Sequence, residues 1–348
     1  MNVAHVPLHK TIYRSQGQII RDNCEFLKPK PRVHHQHPTI QHWQLRDLIT
    51  CPKTSEEFIY VNENSVNCYN TRTKMITPLM KDLTFPPTSL TAACGYLAVG
   101  GQRNQLMVRQ MNSNWFAHTS VGGSINNALC ISEHMGGTRL LISNNDETIK
   151  VYSLPGLQRL TSIQLPTAVN YASVSPDGRK MVAVGDSNQV FLYDISVAAG
   201  YQKIGTYTAT TEASFSCAWN QSSEKFAVAS QDGYVSVWDV RHSEKLCKLG
   251  SKQQPQSKGA TRCVKFSASG SIDLLVYSEH VSYVNLVDAR TFNERQVVRV
   301  APSNGDEHIS GIALSPDSKV CFVGIEHSVL EFDVDTITRR SFPSGSLI

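Results

Sequence analysis

Residues Ser214–Gly250 read SFSCAWNQSSEKFAVASQDGYVSVWDVRHSEKLCKLG, and the alternation inside them decides the fold. Phe215, Cys217 and Trp219 fall at every second position, followed by Phe226 and Val228, then Val235 and Val237. A period of two, carried by β-branched and aromatic residues, is the pattern of strands that bury a face. Asn220-Gln221-Ser222-Ser223 and Gln231-Asp232-Gly233 lie between the runs, and both are made of residues that turn the chain. The unit is a meander of short antiparallel strands.

Outward from this unit the same order repeats. It reads YASVSPDGRKMVAVGDSNQVFLYDI over 171–195, CVKFSASGSIDLLVYSEHVSYVNLVDAR over 263–290 and GIALSPDSKVCFVGIEHSVLEFDV over 311–334. The third strands end in Tyr193-Asp194, Trp238-Asp239, Val287-Asp288 and Phe332-Asp333, so the aspartates step by 45, 49 and 45 residues. Tyr152 closes a further unit 41 residues before Tyr193, and weaker copies occupy 96–111 and 57–73. Seven units over 42–348 average about 44 residues, the length of a four-stranded propeller blade. A lone four-stranded sheet cannot cover both of its faces, whereas blades stacked in a closed ring cover every face and remove most free edges. The expectation is an all-β, seven-bladed propeller with Trp238 buried in the third strand of its fifth blade.

Trp238-Asp239 and the turns Ser175–Gly178, Ser230–Gly233 and Ser315–Ser318 resemble WD-repeat proteins. The Gly-His that precedes the first strand in that family is missing from every unit. Of its His-Asp-Ser/Thr-Trp tetrad, only Asp232, Ser230 and Trp238 have counterparts. A narrower resemblance covers roughly residues 160–348. The run ISGIALSPDSKVCFVGIEHSVLEFDVDTITRRSFPSGSL (309–347) is similar to the C-terminal end of a divergent fungal and plant group of WD-repeat proteins. That group includes a yeast substrate receptor of the GID/CTLH ubiquitin ligase, which is considerably longer. The resemblance implies protein binding, with degron recognition as its sharpest form.

Bulk properties bound the alternatives. Residues 1–41 carry six Lys/Arg against Asp22 and Glu25, so the formal charge of +4 belongs to this segment while the remainder is neutral. Residues 1–41 are expected to be a basic, partly disordered leader to a propeller at 42–348. No basic stripe interleaved with aromatics points to nucleic acid. No apolar run approaches a membrane span, and the N-terminus lacks the apolar stretch of a secretory signal. A cytoplasmic or nuclear protein is expected. The nine cysteines never form a C-x-x-C pair and read as free thiols in a reducing compartment. His34, His35 and His37, with His42 nearby, sit in a Pro-flanked stretch and read as leader rather than as a metal site.

No hydrolase, zinc-protease or phosphate-loop motif is present. Asp146, Asp186, Asp194, Asp232, Asp239, Asp288 and Asp333 fall at turns and strand ends, where aspartate caps backbone. The reading is therefore a non-enzymatic protein with no cofactor and no metal, whose partners are other proteins, ubiquitin-ligase subunits among them. The alternatives are a general scaffold and a propeller hydrolase or lactonase, which an acidic metal cluster in the channel would mark.

Aligning the first strands on Ile131, Val174, Trp219, Phe266 and Leu314 places Asn127, Asn170, Phe215, Arg262 and Ser310 at one shared position. With His308 they are the candidate partner-binding residues. Asn127 and Asn170 are expected to hydrogen-bond a peptide, Arg262 to pair with a carbonyl or acidic group, and Phe215 to supply an apolar wall. Two expectations concern closure of the ring. The run Thr338–Phe342 is assigned the outermost place of the last blade unless the leader takes it, so deleting 1–41 should be tolerated. Trp43 is expected to pack against the ring.

Overall fold

The computed structural model describes residues 20–22, 24–251, 259–269 and 272–336, and within them every regular element is a β-strand. The strands form seven antiparallel sheets of four. Blade 5 shows how the sequence pattern is used. Its strands Ser214–Trp219, Lys225–Ser230, Tyr234–Asp239 and Lys245–Gly250 follow in chain order, joined by the turns read above. Trp238 lies in the third strand of this fifth blade and is 1% exposed.

The core lies between blades rather than within them. Val182, Val184, Val190 and Leu192 of blade 4 face Cys217, Trp219, Phe226, Val228 and Trp238 of blade 5. The opposite face of blade 5 presents Ala227, Ala229, Val235 and Val237 to Val264, Leu275, Tyr277 and Val287 of blade 6. Strands buried on both sides need apolar residues of both parities, which explains near-continuous runs such as KFAVAS beside alternating ones. The first strands of successive blades contact one another in an unbroken ring that closes from blade 7 onto blade 1.

The missing histidine of the tetrad has a substitute. Thr210, just before blade 5, donates to Ser230 Oγ at 2.7 Å, and Thr211 donates to Asp232 through both its amide and its hydroxyl. Two threonines thus hold the loop that an imidazole spans in the resembling family. Asp239 and Asp288 cap turns by accepting the amides of Arg241 and Arg290, whereas Asp194 pairs across the sheet. Asp239 takes Arg241, Asp288 takes Arg290 and Asp194 takes Lys180. The nine cysteines are free, five of them buried.

Ring closure takes the alternative that the sequence left open, a strand from the leader. The fourth place of blade 7 is filled by Arg32–His34, which pairs antiparallel with Val329–Asp333 in the register Arg32↔Glu331, Val33↔Leu330 and His34↔Val329. Residues 1–41 therefore contain a blade strand, and the boundary drawn at 41 is not where the propeller begins. The run Thr338–Phe342 lies outside the described residues. The physical reason is Glu331, a buried carboxylate. It accepts from Arg32 Nη2 at 2.6 Å and pairs with His34 Nε2 at 2.6 Å. Upstream, Phe26 and Leu27 are buried against blades 6 and 7, and their amides both donate to Gln296 Oε1 at 2.7 Å. Trp43 does not pack against the ring: it is 67% exposed.

Candidate functional site

The first strand of each blade from 2 to 7 breaks register at the same point, with one residue bulged out of the ladder. These residues are Thr88, Asn127, Asn170, Phe215, Arg262 and Ser310. A bulge re-aims its side chain out of the sheet plane. Here the first strands form the inner ring, so a property invisible in any one blade becomes a ring of six side chains. Five of the six are the residues aligned from sequence. Thr88 was missed because blade 2 is a faint copy.

The structure brings these residues together but gives them different work. Asn127 Nδ2 donates to Val169 O of the next blade at 2.9 Å, and Asn170 Nδ2 donates to Ser214 O of the next at 3.0 Å and to Asp186 at 2.8 Å. Thr88 and Ser89 reach Asn126 O in the same way. Around this arc the ring residues join blade to blade. The amides assigned to a peptide ligand are already engaged, because the bulge points each at its neighbour's unpaired carbonyl. Ser310 is fully buried at the junction with blade 1, where its carbonyl accepts from the amides of Asp47 and Leu48.

Beneath the ring the channel is bridged. Asp47, leading into blade 1, accepts from Lys265 Nζ of blade 6 at 2.6 Å and from Tyr171 Oη of blade 4 at 2.8 Å. Burial and the Asp47 carboxylate both push the Tyr171 phenol well up.

The open part of the mouth lies over blades 6, 7 and 1. A cavity of about 730 Å³ is lined by Pro38, Thr39, Ile40, Gln41, His42 and Trp43 and by Arg46, Glu63, His280, His308 and Glu326. The segment 38–43 forms its wall, tied to blade 1 by Thr39 N→Val61 O at 3.0 Å and to blade 2 by Gln102 Nε2→Gln41 O at 2.7 Å. Arg262 sits close by with its Cζ 4.2 Å from the centre of the Phe215 ring. Burial, then the charge of Arg46, brings the Arg262 guanidinium down to about 9, and burial brings Arg46 down to about 10. The His280 and His308 rings meet edge to face at 4.9 Å. Burial, then Arg262, Arg46 and His308, lowers His280 to about 3. Burial and the same two arginines also lower His42. His280 is therefore neutral at physiological pH.

Arg46, His280, Glu326 and the 38–43 wall escaped the sequence reading. They belong to no aligned repeat position, and only a run of His, Trp and Arg from 42 to 46 hinted at a site. Of the leader histidines, His34 serves blade closure. Among the described residues no group of three or more His, Cys, Asp or Glu is placed to hold a metal ion. No helix among them is long and apolar enough to cross a membrane.

Comparison with known proteins fits this architecture. Residues 201–239 match the family described as WD domain, G-beta repeat, and 259–299, essentially blade 6, match an uncharacterised protein domain (DUF2415). An uncharacterised protein of Schizosaccharomyces pombe is 35% identical over 331 residues, covering 91% of this chain and 95% of its own. An uncharacterised protein of Saccharomyces cerevisiae is 24% identical over 202 residues, covering 49% of this chain and 26% of its own. WD repeat-containing protein 1 of Xenopus tropicalis is 26% identical over 103 residues, covering 29% of this chain and 17% of its own.

Proposed function

The chain belongs to the same family as the Schizosaccharomyces pombe protein that it matches along nearly its whole length, and we propose that it is a non-catalytic WD-repeat propeller that receives a segment of a partner protein at its channel mouth. The observation that carries this reading is the cavity of about 730 Å³ over blades 6, 7 and 1. It is large enough for several residues of extended chain. Its lip carries Trp43, 67% exposed, and the half-exposed His308. Exposed aromatic surface beside hydrogen-bonding groups is what a peptide site needs. Phe215 and Arg262 keep their proposed part in recognition, while Asn127 and Asn170 act by holding the ring. The sharper form of the reading is a degron receptor for a GID/CTLH-type ubiquitin ligase, supported by the resemblance carried by residues 309–347.

The test is affinity purification from native cells followed by mass spectrometry, repeated with Trp43→Ala and His308→Ala. Both positions are solvent-facing, so both variants should melt like the wild type. Loss of a common set of partners is expected. Retention of every partner by both variants would move the binding site elsewhere on the ring. The degron form additionally requires that a captured partner live longer when the gene is deleted.

A further inference from the structure

We infer that Arg46 and Arg262 together form an oxyanion subsite at the channel mouth, which takes a phosphate or carboxylate carried by the bound partner segment. The inference deepens the proposed peptide-binding role and rests on it for the biological ligand. The chemistry of the subsite stands on the geometry alone.

Among the described residues, two guanidinium groups are buried here with no carboxylate in hydrogen-bonding range. Arg262 is 4% exposed, and its Nε and Nη1 have no hydrogen-bond partner among the described residues. Arg46 is 7% exposed. Its Nη1 donates to the carbonyls of His42 and Leu45, both at 2.9 Å, and its Nε has no partner. A buried cation with unmet donors is costly unless an anion completes it. The nearby acids are committed or peripheral. Asp47, next to Arg46 in sequence, is held by Lys265 and Tyr171. Glu326 accepts the His308 amide at 3.1 Å and acts on Arg46 only at longer range. Glu63 lies on the cavity wall formed by blade 1.

The rest of the neighbourhood suits the same ligand. His280 and His308 each carry an Nδ1 that is buried and unpartnered. The neutral imidazole of His280 supplies a further donor. The Phe215 ring covers one face of the Arg262 guanidinium, which fixes its plane and leaves its edge to bind. Two planar forks that share one oxyanion would relieve the repulsion from Arg46 that, after burial, lowers the basicity of Arg262.

The experiment titrates inorganic phosphate, and separately acetate, against the full chain at constant ionic strength set with chloride, following the melting temperature. Wild type should be stabilised by phosphate beyond chloride. Arg262→Met should weaken the phosphate affinity about ten-fold or more, the loss expected of a charged hydrogen bond, while melting no lower than wild type without phosphate, because it removes an unpaired buried charge. Arg46→Met should weaken phosphate affinity alike, while melting lower because the His42 and Leu45 carbonyls lose their donor. Lys81→Met, an exposed cation away from the mouth, should keep the full response. A response to phosphate alone points to a phosphorylated side chain, and an equal response to acetate points to a chain terminus or acidic residue. Equal melting of wild type in phosphate, acetate and chloride, or a phosphate response untouched in both arginine variants, overturns the subsite. These outcomes need no partner, so they separate failure of the subsite from failure of the protein-binding role.

Discussion

Trp238 is buried and His280 half-buried, and the sequence announced the first and concealed the second. Trp238 stacks on Phe226 with ring centres 5.2 Å apart and an interplanar angle of 13°, between two blades. Its truncation removes a large aromatic from a site with no room to collapse. Trp238→Ala should lower the unfolding free energy by about 3–5 kcal/mol in chemical denaturation, and a loss below about 1 kcal/mol would show that the interblade space repacks. The repeat gave that residue away because its neighbours recur at the same offsets in every unit. His280 sits in a turn of blade 6, and nothing in its own segment predicts the two arginines that reach it from positions 46 and 262.

At the scale of the element, the closing strand Arg32–His34 matters most. Three residues contribute little ladder, but they satisfy Glu331, whose carboxyl is held below its ordinary value by His34 and Arg32 against the effect of burial. Removing them opens an edge on Val329–Asp333 and leaves a buried carboxylate without partners. Deletion of residues 1–41 should therefore lower the urea midpoint and make blade 7 an early target of proteolysis, the reverse of the tolerance expected from composition. An unchanged midpoint would show that another segment closes the ring. The strand was hard to read because RVH alternates with nothing. A three-residue strand has too few positions to show a period, and only its partner's register defines it.

For the whole molecule, the depressed histidines set a pH dependence. Burial and like charges hold His280 at about 3, and burial followed by Arg139 holds His134 at about 4, both below an ordinary value of 6.5. The unfolded chain takes up protons on these residues below pH 6.5, and the folded chain does not until much lower. Stability from this source is complete above that pH and is lost as pH falls toward the folded values. The melting temperature should begin to drop below pH 6.5, and His280→Gln should shallow the slope. The window above 4.5 is the informative one, because below it protonation of the depressed carboxyl of Glu331 adds its own loss. A melting temperature level from pH 7 to pH 5 would contradict this account.

The sequence by itself determined the blade, the number of blades and the shared position of the candidate residues. Each of these is a local pattern repeated about every 44 residues, and a period is legible wherever its pieces are. It placed Asn127, Asn170, Phe215, Arg262 and Ser310 at one station before any coordinate did. What it could not decide is what each residue does at that station, because a neighbouring blade, more than 40 residues away in the chain, supplies the partner. Asn170 meets the Ser214 carbonyl and is spent on the ring, while Arg262 meets a phenyl face and another arginine and is left with open donors. The leader's place, its closing strand and the cavity wall at 38–43 depended on the ring meeting its own beginning. Only the tertiary structure brings residues 32 and 331, or 46 and 262, within reach of one another, since the physics that joins them acts across space and leaves no period in the chain.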